Sequence, residues 1–186
     1  VTPGDNVVIM GVGPIALLAA QMARVAGAGK IILCGCTGDI DYRLKIADSL
    51  NCYDRFINVE KEDAVSIIRD ETVIGADLVV EASGAGSAIR TSIEVLKKRG
   101  LLCAIGMTAR ETVDIPWNEA MMKVLDLQFN MSSSYNGWNI ALSLLGSGRV
   151  KVEPMISVRP LTEWEKAVED LEGGRAMKML LTPDNE

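Results

Sequence analysis

Gly11-Val12-Gly13-Pro14-Ile15-Ala16 is a G-x-G-x-x-A run. It lies between an apolar stretch, Val7-Val8-Ile9-Met10, and a helix-period segment that begins at Pro14. Gly11 permits a tight strand-to-helix turn. Gly13 has no Cβ, which lets a pyrophosphate approach the backbone, and Ala16 keeps the helix close to the strand. Pro14 suits the first helical turn, where an N–H would go unpaired in any case. The amides of that turn, beginning with Ile15, and the positive end of the helix dipole then face the anion. A glycine pattern alone is a weak signal. A strand before it and a helix after it make it a dinucleotide motif. Gly11, Gly13, Pro14 and Ile15 are therefore the candidate phosphate contacts.

The second apolar run ends in Cys34-Gly35-Cys36-Thr37-Gly38-Asp39. Sites that take NAD carry an Asp or Glu at this strand end to hold the ribose hydroxyls. Strand alignment puts Gly35 there. A carboxylate about 4 Å from a 2′-phosphate would repel it by about 1 kcal/mol in water and about 4 kcal/mol at an effective dielectric of about 20. Gly35 removes that repulsion and leaves room. Thr37 offers a hydrogen bond and Arg43 a positive charge. The three together favour NADP over NAD. Asp39 leaves NAD open, because a shifted loop would bring it to the ribose.

Two later apolar runs close with Glu81-Ala82-Ser83-Gly84 and Ile105-Gly106-Met107. Ligands of open α/β sheets sit at such carboxyl ends. Ser83, Gly84, Ile105, Gly106 and Met107 are thus candidates for the ribose and nicotinamide end. Ser83 is not a hydrolase nucleophile, since G-x-S-x-G would need a Gly where Glu81 stands. Gly27-Ala28-Gly29-Lys30 lacks the upstream glycine and the following Ser or Thr of a Walker loop. No catalytic residue and no metal ligand is assigned.

These residues are positioned by an alternation of short apolar runs and amphipathic segments. Strands are expected at 7–10, 30–34, 56–58, 78–81 and 101–105, with helices at 14–26, 42–50, 64–69 and 87–98. Strands continuous in Val, Ile and Leu between amphipathic helices mean a parallel sheet covered on both faces. Right-handed crossovers make it a doubly wound α/β fold of Rossmann type. A helix at 118–126 and a sixth strand at 127–131 complete it. The tail reads as a helix at 138–145, a strand at 155–158, a helix from Trp164 and a strand at 177–182. Those two strands have no evident partners. The reading divides the chain into a dinucleotide-binding domain at 1–134 and a C-terminal α/β segment at 135–186.

The 186 residues include no histidine. That excludes a Ser–His–Asp or Cys–His nucleophile, a His general base and His-ligated zinc. With 19 Lys and Arg against 25 Asp and Glu, the formal net charge is −6, which argues against nucleic acid as a partner. Cys34, Cys36, Cys52 and Cys103 form no C-x-x-C pair and read as reduced thiols of a cytoplasmic protein. No apolar run reaches the roughly 18 residues of a membrane span. The start, Val1-Thr2-Pro3-Gly4-Asp5, has no signal-peptide pattern and no initiator Met. The chain opens as though cut from something longer.

Other stretches join the glycine motif in a recognisable order. They are Pro3-Gly4-Asp5, the run from Gly75-Ala76-Asp77 to Ala82-Ser83-Gly84, Ala104-Ile105-Gly106-Met107, Val152-Glu153-Pro154-Met155-Ile156, and the run from Met177-Lys178 to Thr182-Pro183. In these the chain resembles the cofactor-binding region of the zinc-dependent medium-chain alcohol dehydrogenases, and among them the sorbitol, threonine and related polyol dehydrogenases. Ala16 departs from the usual third glycine, and the loop after Gly35 is longer than usual.

The resemblance implies an oxidoreductase that moves a hydride between a nicotinamide cofactor and an alcohol, polyol or ketone, with zinc polarising the substrate oxygen. It implies that the zinc ligands and proton relay belong to an N-terminal catalytic domain absent from this chain. It implies that residues from about Tyr135 onward pack on that domain and that Lys178 lies near the pyrophosphate. It also implies a homo-oligomer in which the edge of the sixth strand meets a partner subunit. Cofactor binding without turnover is the expectation for these residues alone. The alternatives are a free-standing NAD(P)-sensing module and the cofactor domain of a zinc-free quinone-reductase-type relative.

Overall fold

The computed structural model describes residues 1–183. Residues 184–186, the end of the segment expected at 135–186, lie outside the described residues.

Strand β1 (Asn6–Met10) lies at the centre of a six-stranded parallel sheet. It pairs on one side with β2 (Lys30–Gly35), which pairs with β3 (Arg55–Asn58). On the other side it pairs with β4 (Ala76–Glu81), followed by β5 (Leu96–Ala104) and β6 (Asp126–Phe129). The order β3-β2-β1-β4-β5-β6 reverses direction between β1 and β4. In a doubly wound sheet this reversal opens a crevice at the carboxyl ends of the strands. The fold class expected from the sequence is the one observed.

Unbroken apolar strands follow from burial on both faces. Val7, Val8 and Ile9 are each fully buried. Val7, Ile9, Ile31 and Leu33 pack with Ala16, Leu17 and Ala20 of α1 (Pro14–Val25). Val8, Met10, Ile32 and Cys34 face the opposite layer, with Ile68 of α3 (Ala64–Thr72) and Ile93 of α4 (Gly86–Val95). Helix α2 (Arg43–Leu50) covers the α1 side through Ala47, and α5 (Trp117–Lys123) covers the other through Ala120.

The fifth strand departs from the sequence reading. Helical periodicity carries α4 to 98, but the helix stops at Val95 and β5 begins at Leu96, which is paired with Ala76. Gly75 explains the early exit. A Cβ on Gly75 would lie 2.8 Å from the Val95 carbonyl oxygen and 2.7 Å from the Lys97 nitrogen. The bare backbone lets the chain turn there and bury Leu96, and the register then shifts before Leu78 pairs with Leu101.

The tail corrects a second expectation. Strand β7 (Ile156–Pro160) and β8 (Lys178–Thr182) are not unpartnered: they pair with each other in parallel, from Ile156 with Lys178 to Pro160 with Thr182. Helix α7 (Trp164–Glu172) is the crossover that a parallel pair requires. Arg159 on β7 meets Glu163 at 2.8 Å and Asp170 at 2.6 Å, tying strand to helix. Met155 and Met177 are buried against the α1 layer, so part of the tail is anchored on that face of the six-stranded sheet. Helix α6 (Tyr135–Gly146) is different, since none of its residues is buried. Among the described residues no helix is long and apolar enough to cross a membrane.

Candidate cofactor site

A cavity of about 650 Å³ opens where β1, β2, β3 and β4 end, a size in the range of small-molecule and cofactor sites. Of the residues singled out from sequence for the cofactor, Gly11, Gly13, Gly35, Asp39, Arg43 and Ser83 line it. Gly11 holds φ at +112°, on the side of conformational space where glycine is favoured, and so turns the chain from β1 into α1. Gly13 caps α1 with extended backbone, and Pro14 follows as its first residue. A Cβ on Gly13 would meet nothing within 4 Å. Its missing side chain therefore opens onto the cavity rather than onto protein. The amides of Ile15 and Ala16 stand in the first turn, where no intrahelical acceptor exists. Such a cradle fits an anionic pyrophosphate.

At the far side β2 ends beside a 3-10 turn, Thr37–Asp39. Gly35 does not leave room in the sense expected. A Cβ there would sit 2.4 Å from Val12 Cγ2, 3.0 Å from Phe56 Cε2 and 3.0 Å from Asp39 Oδ2. The space is filled, and Asp39 takes part in filling it. Asp39 Oδ2 accepts a hydrogen bond from the Cys36 N–H at 2.9 Å, and Oδ1 accepts one from Arg43 Nη1 at 3.1 Å. Arg43 is thus already paired. Thr37, the first residue of this turn, is not among the cavity-lining residues: its Oγ1 accepts from Asn58 Nδ2 at 3.0 Å, and its N–H donates to Glu60 Oε2 at 2.8 Å. Hydrogen bonding from Thr37 holds the Glu60 carboxyl below the usual carboxylate range.

The ends of β4 and β5 form one packed unit. Glu81 is 1% exposed. Its Oε1 accepts from the Ser83 N–H at 2.9 Å and the Gly84 N–H at 3.0 Å, and also from the Ser83 hydroxyl. The N–H groups of Ile105 and Gly106 both donate to the Glu81 carbonyl at 2.9 Å. A Cβ on Gly84 would lie 2.2 Å from the Met107 carbonyl oxygen, and one on Gly106 would lie 2.4 Å from the Gly84 nitrogen. The smallness of these glycines lets two turns pack together. Ser83 faces the cavity from this unit, while Met107 is exposed beside it. Lys178 is the first residue of β8, exposed and apart from the cavity lining.

Sequence reasoning missed the wall contributed by the β3–α3 loop, Val59 with Glu62, Asp63, Ala64 and Val65. The strand-end rule that selected β4 and β5 applies equally to β3, so the signal was present. Asp63 accepts from the Val65 and Ser66 N–H groups and caps α3. Cys34 also lines the cavity, but burial pushes its thiol up to about 12, with the Glu62 charge adding to the effect. It is a packing residue rather than a nucleophile.

Residues 14–147 match the family described as zinc-binding dehydrogenase. This chain belongs to the zinc-binding dehydrogenase family. Over 98% of its length it is 34% identical to the sorbitol dehydrogenase of Halalkalibacterium halodurans. It is also 34% identical to the L-threonine 3-dehydrogenase of Caldanaerobacter subterraneus over 97% of its length. The alcohol dehydrogenase TADH from Thermus sp. ATN1 superposes on 98% of the chain with a TM-score of 0.89 at 31% identity. The chain spans about half the length of these dehydrogenases: 53%, 52% and 52% respectively. Zinc does not fit the residues of this chain. It has no histidine, and among the described residues no group of three or more His, Cys, Asp or Glu side chains is arranged to hold a metal ion.

Proposed function

We propose that this chain is the cofactor-binding part of a dehydrogenase that moves a hydride between a nicotinamide dinucleotide and an alcohol or polyol. The observation that carries this reading is the amide-lined end of α1, with Gly13 bare toward a 650 Å³ cavity. The nicotinamide, when bound, gives or takes the hydride. The chain's own residues bind and orient. Gly11, Gly13 and the first-turn amides of Ile15 and Ala16 would hold the pyrophosphate, with Pro14 fixing the helix opening. Gly35 and Arg43 would stand at the adenosine ribose, with Thr37 behind them. Ser83, Gly84, Ile105, Gly106 and Met107 would form the shelf for the nicotinamide end, kept rigid by the buried Glu81. We assign no proton transfer to these residues. Substrate and zinc chemistry would belong to a separate part of the protein, against which the exposed faces of residues 135–183 would pack. We also propose that the protein is cytoplasmic, with Lys178 completing the pyrophosphate site in that assembly and the open β6 edge serving a homo-oligomer.

Thermal denaturation with and without dinucleotide tests the reading. A ligand at about a hundred times its Kd stabilises by about 2.7 kcal/mol. For a chain of this size that is a rise of about 5–10 °C. The chain alone should show no alcohol oxidation. A melting temperature unmoved by millimolar NAD and by millimolar NADP would reject the proposal.

A further inference from the structure

The end of β2 holds a carboxylate that does not come from β2. The position of a β2-terminal side chain, Gly35, is occupied by Asp39, whose Oδ2 lies 3.0 Å from where a Gly35 Cβ would stand. Asp39 reaches back across the Thr37–Asp39 turn. Its side chain is 14% exposed, and each oxygen is engaged, one by the Cys36 N–H and the other by Arg43.

The turn itself is tethered. Asn58, the last residue of β3 and register partner of Gly35, is 7% exposed. Its Nδ2 donates to Thr37 Oγ1 at 3.0 Å, and its Oδ1 accepts from the Glu60 N–H at 3.1 Å. Glu60 in turn accepts from the Thr37 N–H at 2.8 Å. A buried amide with both ends satisfied holds a fixed orientation. The turn and its carboxylate are therefore held in place by β3.

The charges facing this end of the cavity complete the picture. Asp39, Glu62 and Asp63 line it with Arg43 as the cation among them. Arg43 is spent on Asp39 at 3.1 Å. Glu62 is itself paired with Arg55 at 2.7 Å, so a 2′-phosphate entering here would find no unpaired cation among the lining residues, whereas ribose hydroxyls would meet an acceptor.

We propose that Asp39 serves as the ribose-hydroxyl acceptor in place of a β2-terminal acid, that Asn58 positions it through Thr37, and that the site takes NAD in preference to NADP. This rests on the reading that the cavity binds a nicotinamide dinucleotide, and it reverses the preference drawn from Gly35. Arg43 then acts as the counter-ion of Asp39, not as a phosphate ligand.

Equilibrium titration of the protein with NAD and with NADP, by calorimetry, tests it. The expected result is NAD binding at least tenfold tighter than NADP. Asp39→Asn should narrow that ratio by about tenfold, weakening NAD and strengthening NADP. Asn58→Ala should narrow it as well, whereas a merely structural loss would weaken both dinucleotides equally. Equal or tighter binding of NADP by the unaltered protein overturns the proposal, and so does an unchanged ratio in Asp39→Asn. If a variant fails to fold, the ratio in the unaltered protein still decides. Binding of neither dinucleotide overturns the underlying reading of the cavity and this proposal with it, a result distinct from binding with the wrong preference.

Discussion

Gln21, in the middle of α1, exchanges two hydrogen bonds with the backbone of Lys151: its Nε2 donates to the carbonyl at 3.0 Å, and its Oε1 accepts from the N–H at 2.8 Å. Gln21 is 6% exposed. The pair fastens the segment after α6 to the first helix. Gln21→Ala removes both hydrogen bonds, each worth about 0.5–1.5 kcal/mol net. The expected outcome is an unfolding free energy lower by about 1–3 kcal/mol, read as a lower urea midpoint at an unchanged slope. A shift below about 0.5 kcal/mol would mean that the segment does not hold this position in solution.

Gly13 separates binding from stability. Its backbone is extended, at φ −79° and ψ 176°, and a Cβ would meet nothing within 4 Å. Gly13→Ala should cost at most about 1 kcal/mol, the size of an altered N-cap. Affinity for dinucleotide should fall at least tenfold, because the methyl group would stand where the pyrophosphate must approach. Calorimetry beside a melting curve checks both halves.

Acid should loosen the start of β4. Burial by itself would raise the Asp77 carboxyl, but the hydrogen bond from Lys97 and that from the Asn6 N–H outweigh it and leave the group below its ordinary value. A depressed carboxyl stabilises the fold above the unfolded value of about 3.9, and that stability disappears as pH falls through the folded value. Denaturation midpoints measured from pH 7 down to pH 3 should therefore drop at the acid end. The drop should be shallower in Asp77→Asn, which starts from a lower midpoint at pH 7.

Three of the four thiols should divide by burial. Cys36 is exposed and lines the cavity. Desolvation, then the charges of Glu60 and Asp39, raise its pKa, so labelling by a maleimide should speed up with rising pH. Burial holds Cys34 at about 12 and Cys52 at about 11, and both should label only in denaturant. Saturating dinucleotide should slow the labelling of Cys36. Mass spectrometry of the labelled peptides reads all of this directly.

The central sheet was legible because burial on both faces leaves only one kind of residue acceptable in β1, β2 and β4, and such runs stand out. The start of β5 was not, because what ends α4 is the missing side chain of Gly75, some twenty residues earlier in the chain. The pairing of β7 with β8 was hidden for a similar reason. A strand's partner is set by the path of its crossover, and composition does not carry that path. At the site, Gly11 and Gly13 announced themselves by spacing. Asp39 was legible only as an alternative, since its relation to Gly35 depends on a 3-10 turn that Asn58 holds from a different strand. The wall from Val59 to Val65 went unread although the same strand-end rule reaches it.

The cavity draws its wall from the ends of β1, β2, β3 and β4, with residues from Met10 to Thr91. Each neighbouring pair of those strands is parallel and is closed over a long stretch of chain. No hairpin and no single βα unit contains the site. It comes into being only when strands far apart in sequence have all found their places. Occupancy is therefore a census of the finished sheet: a bound dinucleotide would withhold itself from every partly assembled form of the protein and draw the population toward the complete one.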